Sequence, residues 1–187
     1  MLRFSNTLMI GATGMLQDVA TWAAERSTRL LLVAREAARS PLSKHPQVSA
    51  LSADWRHPDV FVSKIAREGG FIGTELAVLW MHGDGAETKR QVLRKLSPID
   101  CLTVLVQGSN QPGRLRRANG ETCMTGSNAR SITVTLGAIQ TQAGRRWLTW
   151  PEISTGVIGA IEAEESRVVG QLFRHDQKGS QRGVTER

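Results

Sequence analysis

The chain has no tyrosine among its 187 residues, which excludes any reaction step that uses a phenol hydroxyl as acid or base. Cysteine is scarce: Cys101 and Cys123 are the only two, and their separation does not match the close pairs typical of structural metal sites. We therefore expect two reduced thiols and no metal, in a protein of the cytoplasm.

Long apolar segments are also missing. No run approaches the roughly 20 residues that a membrane-spanning helix needs. The N-terminal residues M-L-R-F-S-N lack the apolar stretch of a secretory signal peptide, so we expect no membrane partner. A length of 187 residues with 40% hydrophobic and 22% charged residues fits one globular domain with an ample core.

The charge is predominantly of one sign. The formal net charge is +7 and the isoelectric point is near 10.4, values that are common in proteins that bind nucleic acids. However, the 24 basic residues are spread along the chain, with local concentrations at Arg114, Arg116 and Arg117 and in the C-terminal tail. Because no nucleic-acid motif accompanies them, we interpret the charge as a solvated surface plus basic groups for a phosphate-rich cofactor. Nucleic acid is not an expected partner.

A glycine turn near the N-terminus follows a short apolar run. Residues 7–16 read T-L-M-I-G-A-T-G-M-L, in which Thr7–Ile10 has the pattern of a buried parallel strand and Gly11 and Gly14 end it. A helix is then predicted from about Gly14. This order is typical of a dinucleotide-binding βαβ unit, since glycine lets the backbone approach a pyrophosphate at a helix N-terminus. The motif is incomplete, because Gln17 stands where a small third residue is usual. A tight turn in another doubly wound protein is the alternative.

The second predicted strand ends in a basic residue. The first helix should end near Ser27, and the run R-L-L-L-V-A-R at 29–35 predicts a buried strand. In dinucleotide-binding folds this strand end lies beside the adenine ribose, where an acidic residue binds the 2′-hydroxyl and a basic one accommodates a 2′-phosphate. Arg35, with Arg39 shortly after it, therefore favours NADP over NAD as cofactor. A surface arginine at a helix start is the alternative.

Three more strand ends carry polar side chains. The predicted strands are the short apolar runs at 48–54, 75–81 and 101–107. Asp54 ends the first of them and could accept a hydrogen bond from an adenine amino group, or belong to a turn or helix cap. His82 follows the second and is a candidate general acid, although a structural histidine is the commoner case. Ser109 follows the third, in the same row of strand ends.

The remaining pattern completes an α/β fold. Further helices are predicted at 57–70, at 86–96 and after a capping box at Thr149–Glu152, and further strands at 131–137, 146–148 and 167–173. Residues 110–130 read as a long basic loop, either a lid or the remnant of a shortened helix. We predict a doubly wound, mostly parallel, Rossmann-like sheet in three layers, α/β/α. One NAD(P)-binding domain would span residues 1–173, with a disordered tail at 174–187.

Three stretches together resemble the short-chain dehydrogenase/reductase superfamily: G-A-T-G-M-L at 11–16, D-W-R at 54–56, and W-L-T-W-P-E-I-S-T-G-V at 147–157. The likeness covers residues 7–173 and is more specific in the first half. It implies that the backbone around the pyrophosphate comes from Gly11, Ala12, Thr13, Gly14, Met15 and Leu16. It also implies that Arg35 meets the 2′-phosphate, that Asp54 meets the adenine, and that Ser109 lies in the region of the family's catalytic serine.

The resemblance fails at the catalytic pair. The family's proton donor is a tyrosine with a lysine four residues later, but this chain has no tyrosine and its 110–130 segment has no lysine. The usual reductase mechanism is therefore unavailable. We expect an NADP(H)-binding protein that either transfers hydride to an unknown carbonyl substrate, with His82 or Ser109 as the acid, or serves as a non-catalytic nucleotide-sensing or partner-binding module. Assembly into a homo-oligomer is left open.

Overall fold

The computed structural model describes residues 2–109 and 130–173. Its strands are β1 (Phe4–Ile10), β2 (Ser27–Ala34), β3 (Val48–Ser52), β4 (Thr74–Trp80), β5 (Leu102–Gly108), β6 (Arg130–Leu136), β7 (Ala138–Thr141), β8 (Gly144–Trp147) and β9 (Arg167–Val169). Its helices are α1 (Gln17–Ala24), α2 (Pro58–Arg67), α3 (Ala86–Leu96) and α4 (Trp150–Ala163). The predicted tail at 174–187 and all of the predicted 110–130 loop except Arg130 lie outside the described residues.

Seven strands form one parallel sheet in the order β3-β2-β1-β4-β5-β6-β9. The chain starts in the middle, runs outward through β2 and β3, returns to the middle and runs outward again from β4. Because all seven strands point the same way, their carboxyl ends form one side of the sheet, which we call the carboxyl edge. The predicted doubly wound, Rossmann-like fold is confirmed.

Helices cover both faces of the sheet. Apolar side chains of α1 and α4 form one buried cluster with one face, and those of α2 and α3 form a second cluster with the other. Strand β1 shows the alternation that this requires: Met9 belongs to the first cluster, whereas Leu8 and Ile10 belong to the second, and all three are fully buried. The predicted three layers are therefore present.

The crossover through α4 has the opposite hand to those through α1 and α3. Helix α1 connects β1 to β2 in one direction, and α3 connects β4 to β5 in the other direction over the opposite face, so these two crossovers share a hand. Helix α4 connects β6 to β9 in the same direction as α3 but lies on the face of α1. Such a reversal is rare in parallel sheets, so it is a distinguishing mark of this fold.

The capping box predicted for the last helix is present. The Thr149 hydroxyl accepts a hydrogen bond from the Glu152 backbone N–H, and the Glu152 carboxylate accepts one from the Thr149 N–H at 2.8 Å. Arg146, in β8, donates two hydrogen bonds to the same carboxylate, at 2.8 and 2.7 Å. These contacts hold the pKa of Glu152 at about 2, lowered first by Arg146 and then by Thr149.

The β7–β8 hairpin lies beyond the carboxyl ends of β6 and β9. Ala138 and Gln171 exchange backbone hydrogen bonds of 3.0 and 2.8 Å, which tie the first hairpin strand to the segment after β9. The predicted last strand at 167–173 is too long. Gly170 adopts a φ of 79°, which turns the chain after Val169.

The predicted bounds of the first helix and of the long loop also differ from the structure. Helix α1 begins at Gln17 rather than Gly14, because a turn closed by a 2.8 Å hydrogen bond from the Gln17 N–H to the Gly14 carbonyl precedes it. It ends at Ala24, so that Ser27 begins β2. Arg130, assigned to the long loop, is the first residue of β6 and forms an ion pair with Glu164.

Cys101 is a free thiol buried in the α2/α3 cluster. Burial raises its pKa to about 11, so it stays protonated near neutral pH. Cys123 lies outside the described residues. None of the helices described in 2–109 and 130–173 is both long and apolar enough to cross a membrane.

Candidate functional site

Gly11 follows β1 at the carboxyl edge and lies against Trp80, the last residue of β4. Its φ of 76° favours glycine, and a β-carbon there would lie 2.0 Å from the carbonyl oxygen of Trp80. The Gly11 N–H donates a 2.9 Å hydrogen bond to the Val33 carbonyl of β2. The turn after β1 is thus held between both neighbouring strands, which no other residue type would permit.

The same turn stands at the topological switch point of the sheet. The connection after β1 leads to β2 on one side, and the connection after β4 leads to β5 on the other, which leaves a crevice between them. In open α/β sheets, ligands bind outside the carboxyl ends of the strands at this point. Gly11 and Trp80 therefore mark the floor of the candidate site.

Three glycines at the carboxyl edge have no neighbouring group packed against them in the described part of the chain. Gly14, Gly83 and Gly108 follow or end β1, β4 and β5, and a β-carbon on any of them would meet no atom of the described residues within 4 Å. None of the three has a positive φ. Neither packing nor backbone conformation accounts for glycine at position 14, whereas a ligand approaching the backbone would account for it.

The other residues of the glycine motif divide into core and surface. Ala12 and Leu16 are fully buried among the side chains of the α1/α4 cluster, so only their backbone groups can face a ligand. Thr13 and Met15 are half-buried. As in α2 and α3, no side chain caps the first turn of α1; its first N–H, that of Gln17, bonds to the Gly14 carbonyl, and the N–H groups after it have no side-chain acceptor.

Position 17 does not obstruct the packing of α1. Gln17 is half-buried in the first helical position, and the side chains of α1 that are buried are Val19, Ala20, Ala23 and Ala24. In many dinucleotide-binding folds, a small third residue of the glycine motif lets the helix pack closely on the sheet. Here the buried alanines Ala20, Ala23 and Ala24 allow that contact instead.

Arg35 is exposed at the end of β2 and makes no hydrogen bond or ion pair with any residue in the described ranges. Its guanidinium carbon lies 5.8 Å from the centre of the Trp55 indole, within reach of a cation–π interaction. Arg39, by contrast, pairs with Glu36 at 2.9 Å. Of these two arginines, Arg35 is the one whose N–H donors have no partner among the described residues.

Asp54 lies beyond the end of β3 and is engaged in a local turn. Its carboxylate accepts a 3.0 Å hydrogen bond from the Arg56 backbone N–H and further hydrogen bonds from the Arg56 side chain. Hydrogen bonds from Arg56 lower the pKa of Asp54 to about 2. Asp54 therefore belongs to a turn, which was one of the alternatives. It does not cap α2, whose N-cap residue is His57. An adenine amino group would have to share Asp54 with Arg56.

His82 is exposed after β4 and lies between two indole rings. Its imidazole is 5.3 Å from Trp80 in an edge-on arrangement and 6.1 Å from Trp55. The Trp55 Nε1–H donates a 3.0 Å hydrogen bond to Asp84, two residues after His82. The structure therefore brings Arg35, Trp55, His82 and Trp80 together in one aromatic and cationic group.

Ser109 belongs to a different part of the edge. It is half-buried at the end of β5, and its N–H donates a 2.9 Å hydrogen bond to the Leu136 carbonyl of β6. Within the described residues, Ser109 and His82 do not form a hydrogen bond with each other. Trp55, Trp80 and Asp84 were not predicted as site residues, because tryptophans in or beside apolar runs are indistinguishable from core residues.

Comparison with known proteins finds similarity in structure but not in sequence. No protein-family model and no curated protein matches the chain. The fold is similar to a short-chain dehydrogenase from Burkholderia cenocepacia solved in complex with NADP, with 16% identity over 91% of this chain and 90% of that one and a TM-score of 0.62.

Two other solved structures give the same result. A short-chain dehydrogenase/reductase of the glucose/ribitol dehydrogenase type from Brucella melitensis is 14% identical over 90% of this chain and 97% of that one, with a TM-score of 0.61. The anaerobillin reductase ChuY from Escherichia coli O157:H7 is 15% identical over 89% and 97%, with a TM-score of 0.60. The seven-stranded parallel sheet, its strand order and these likenesses show that the chain has the fold of the short-chain dehydrogenase/reductases.

Proposed function

We propose that the protein binds NADP(H) across the carboxyl edge, with the pyrophosphate over the Gly11–Leu16 turn and the adenosine 2′-phosphate at Arg35. The observation that carries the proposal is the unpaired Arg35 at the end of β2, beside a switch point where Gly14 leaves open space. NAD(H), which lacks the adenosine 2′-phosphate, is the less favoured cofactor.

The residues present fit a dinucleotide phosphate. The space above Gly14 is unfilled, the first turn of α1 has no side-chain cap, and its N–H groups carry the positive end of the helix dipole. A guanidinium with free N–H donors suits a phosphate monoester, which accepts charge-assisted hydrogen bonds. Support also comes from the similar fold of the Burkholderia cenocepacia dehydrogenase, whose structure holds NADP.

As an enzyme, the protein would be an oxidoreductase acting on a carbonyl compound. When bound, NADPH supplies the hydride, so this chain has to bind the carbonyl and deliver a proton to its oxygen. His82 and Ser109 are the candidates. Strands lie about 4.8 Å apart, so His82, after β4, is roughly 10 Å from the end of β2, and Ser109, after β5, is roughly 14 Å away.

That spacing favours Ser109 at the reacting end. An extended dinucleotide whose adenosine lies at β2 carries its nicotinamide away from β2. His82 contacts Trp55, which also contacts Arg35, so the imidazole lies nearer the adenosine half. We assign to the Ser109 hydroxyl a hydrogen bond to the carbonyl oxygen, and keep His82 as the alternative proton donor.

A non-catalytic nucleotide-sensing or partner-binding module is the second candidate. It is favoured by the absence of tyrosine and by the lack of a hydrogen bond between Ser109 and His82 in the described part of the chain. NADPH binding without turnover of any carbonyl compound, accompanied by a nucleotide-dependent change in self-association, would select this candidate.

A matched pair of variants tests the cofactor assignment. Arg35→Gln should weaken NADPH binding and leave NADH binding almost unchanged, because only NADPH carries the 2′-phosphate. Arg39→Gln is the control, since it removes a nearby arginine that is already paired with Glu36. Calorimetric titration measures both. Equal losses for the two cofactors with Arg35→Gln, or a larger effect from Arg39→Gln, would contradict the assignment.

A further inference from the structure

Trp55 is held rigidly by the segment that follows β4. The residue is 7% exposed, and its Nε1–H donates a 3.0 Å hydrogen bond to Asp84. Its carbonyl accepts a hydrogen bond from the Thr88 hydroxyl of α3. Gly85 packs so closely that a β-carbon there would lie 3.0 Å from the indole Cδ1. The ring is therefore fixed on one side by a turn and a helix start that come from a different part of the sequence.

The ring also contacts Arg35, as well as the His82 imidazole at 6.1 Å. The guanidinium carbon is 5.8 Å from the indole centre, and this cation–π contact is the one described interaction of the Arg35 charge. An arginine side chain that is free in solvent loses rotamer freedom when it binds a phosphate, and that loss lowers the affinity. A ring that already orders the guanidinium reduces the loss.

The cation–π contact also keeps the hydrogen-bonding groups of Arg35 available. An indole attracts the guanidinium through its face and uses none of the five N–H donors. Two neighbouring arginines show the contrast: Arg39 is paired with Glu36, and Arg56 is paired with Asp54. In each pair a carboxylate takes at least one N–H donor and offsets the charge of the guanidinium.

We propose that Trp55 is a positioning residue that determines selectivity for the adenosine 2′-phosphate, by holding the Arg35 guanidinium at the end of β2 with its N–H donors free. The inference rests on the proposed binding of NADP(H). It adds a residue after β3, held by the turn after β4, to the determinants of cofactor choice, and it predicts that Trp55 acts through Arg35 rather than on the cofactor as a whole.

Trp55→Met is the direct test, because methionine fills much of the volume but has no aromatic face. The ratio of the NADH and NADPH dissociation constants, measured by calorimetry, should fall about two- to fivefold, the equivalent of a cation–π contact of about 0.5–1 kcal/mol. Trp55→Phe keeps an aromatic face and should retain most of the ratio. A purely structural role for Trp55 would instead weaken both cofactors equally and leave the ratio unchanged.

Trp22→Met is the matched control. Trp22 also lies under an arginine, with the Arg26 guanidinium carbon 4.8 Å from its ring, and it packs against Phe4 at the opposite end of β1. This substitution should leave the ratio unchanged. A shift equal to that of Trp55→Met would show that loss of any such pair disturbs binding, and would overturn the proposal.

A double-mutant cycle tests whether Trp55 acts through Arg35. In the Arg35→Gln background, Trp55→Met should not change the ratio further, whereas an additional fall would show that Trp55 acts independently of Arg35. If Trp55→Met does not fold, Asp84→Ala is the second variant. It removes the hydrogen bond acceptor of the Trp55 Nε1–H by a substitution at the protein surface, and it should also lower the ratio. An unchanged ratio would contradict the inference. If wild-type protein binds neither cofactor, the proposed function itself fails, which is a distinct result.

Discussion

Gly11 and Trp80 meet backbone to backbone at the switch point of the sheet. A β-carbon on Gly11 would lie 2.0 Å from the Trp80 carbonyl oxygen, whereas one on Gly14, in the same motif, would meet nothing within 4 Å in residues 2–109 and 130–173. The two glycines of one sequence motif therefore have different reasons to be glycine. The first is required by the fold, and the second suits the proposed cofactor site.

This difference gives a pair of opposed substitutions. Gly11→Ala should lower the free energy of unfolding by at least about 2 kcal/mol, from backbone strain at a φ of 76° and overlap with β4. Gly14→Ala should stay within about 0.5 kcal/mol of wild type but weaken NADPH binding about tenfold, because the methyl group occupies the pyrophosphate space. Denaturant unfolding and calorimetry measure these effects. A destabilised Gly14→Ala variant would contradict the account.

The capping box predicts a pH-dependent contribution to stability. In the folded protein the pKa of Glu152 is lowered from 4.5 to about 2, chiefly by hydrogen bonds from Arg146. A lowered folded-state pKa means that the carboxylate stabilises the fold above pH 4.5 and that this contribution disappears as the pH falls towards 2. The difference in unfolding free energy between wild type and Glu152→Gln should therefore shrink between those values.

Denaturant unfolding at a series of pH values measures that difference. Glu162→Gln is the control, since Glu162 is an exposed carboxylate on the same helix without an ion pair among the described residues. If the two variants show the same pH dependence, the Arg146–Glu152 contact does not stabilise the helix start in solution.

The buried thiol of Cys101 should be chemically inert in the folded protein. Its pKa is raised to about 11 by burial, so little thiolate forms near neutral pH, and the side chain has no exposure to a reagent. Iodoacetamide labelling followed by mass spectrometry should modify Cys101 only after denaturant is added. Labelling of the native protein at the rate of a free thiol would show that the α2/α3 cluster opens readily.

The candidate reacting groups can be separated by kinetics with an activated carbonyl such as 4-nitrobenzaldehyde, which needs less help from an acid. Ser109→Ala should lower kcat about 100-fold and leave the NADPH dissociation constant unchanged, as expected for loss of one hydrogen bond to the carbonyl oxygen. His82→Ala should weaken NADPH binding and leave kcat at saturation nearly unchanged. The reverse pattern would make His82 the acid.

Much of the scaffold was predictable because buried parallel strands leave short apolar runs. The sequence pattern placed the strands of the seven-stranded sheet and gave the bounds of α3, Ala86–Leu96, as observed. The capping box at Thr149 was also predicted, since its two hydrogen bonds depend on residues three apart in the chain. Such features are local, so a single sequence reveals them.

The contacts that shape the site are not local. Trp55 and Asp84 are joined by a hydrogen bond because the turns after β3 and β4 meet beyond the carboxyl edge, although β2 and β1 separate the two strands in the sheet. The approach of Gly11 to Trp80 depends in the same way on the pairing of β1 with β4. Arg35 was predicted as a phosphate ligand, but its contact with Trp55 could not be, because an aromatic residue after a strand has the pattern of a core residue.

The most direct test of the central claim is a calorimetric titration of the wild-type protein with NADPH and with NADH at moderate salt. The account predicts saturable binding of NADPH and clearly weaker binding of NADH, because Arg35, unpaired among the described residues, is the proposed partner of the 2′-phosphate. Equal affinity for the two would contradict the role of Arg35. Binding of neither would mean that this fold has lost its cofactor site.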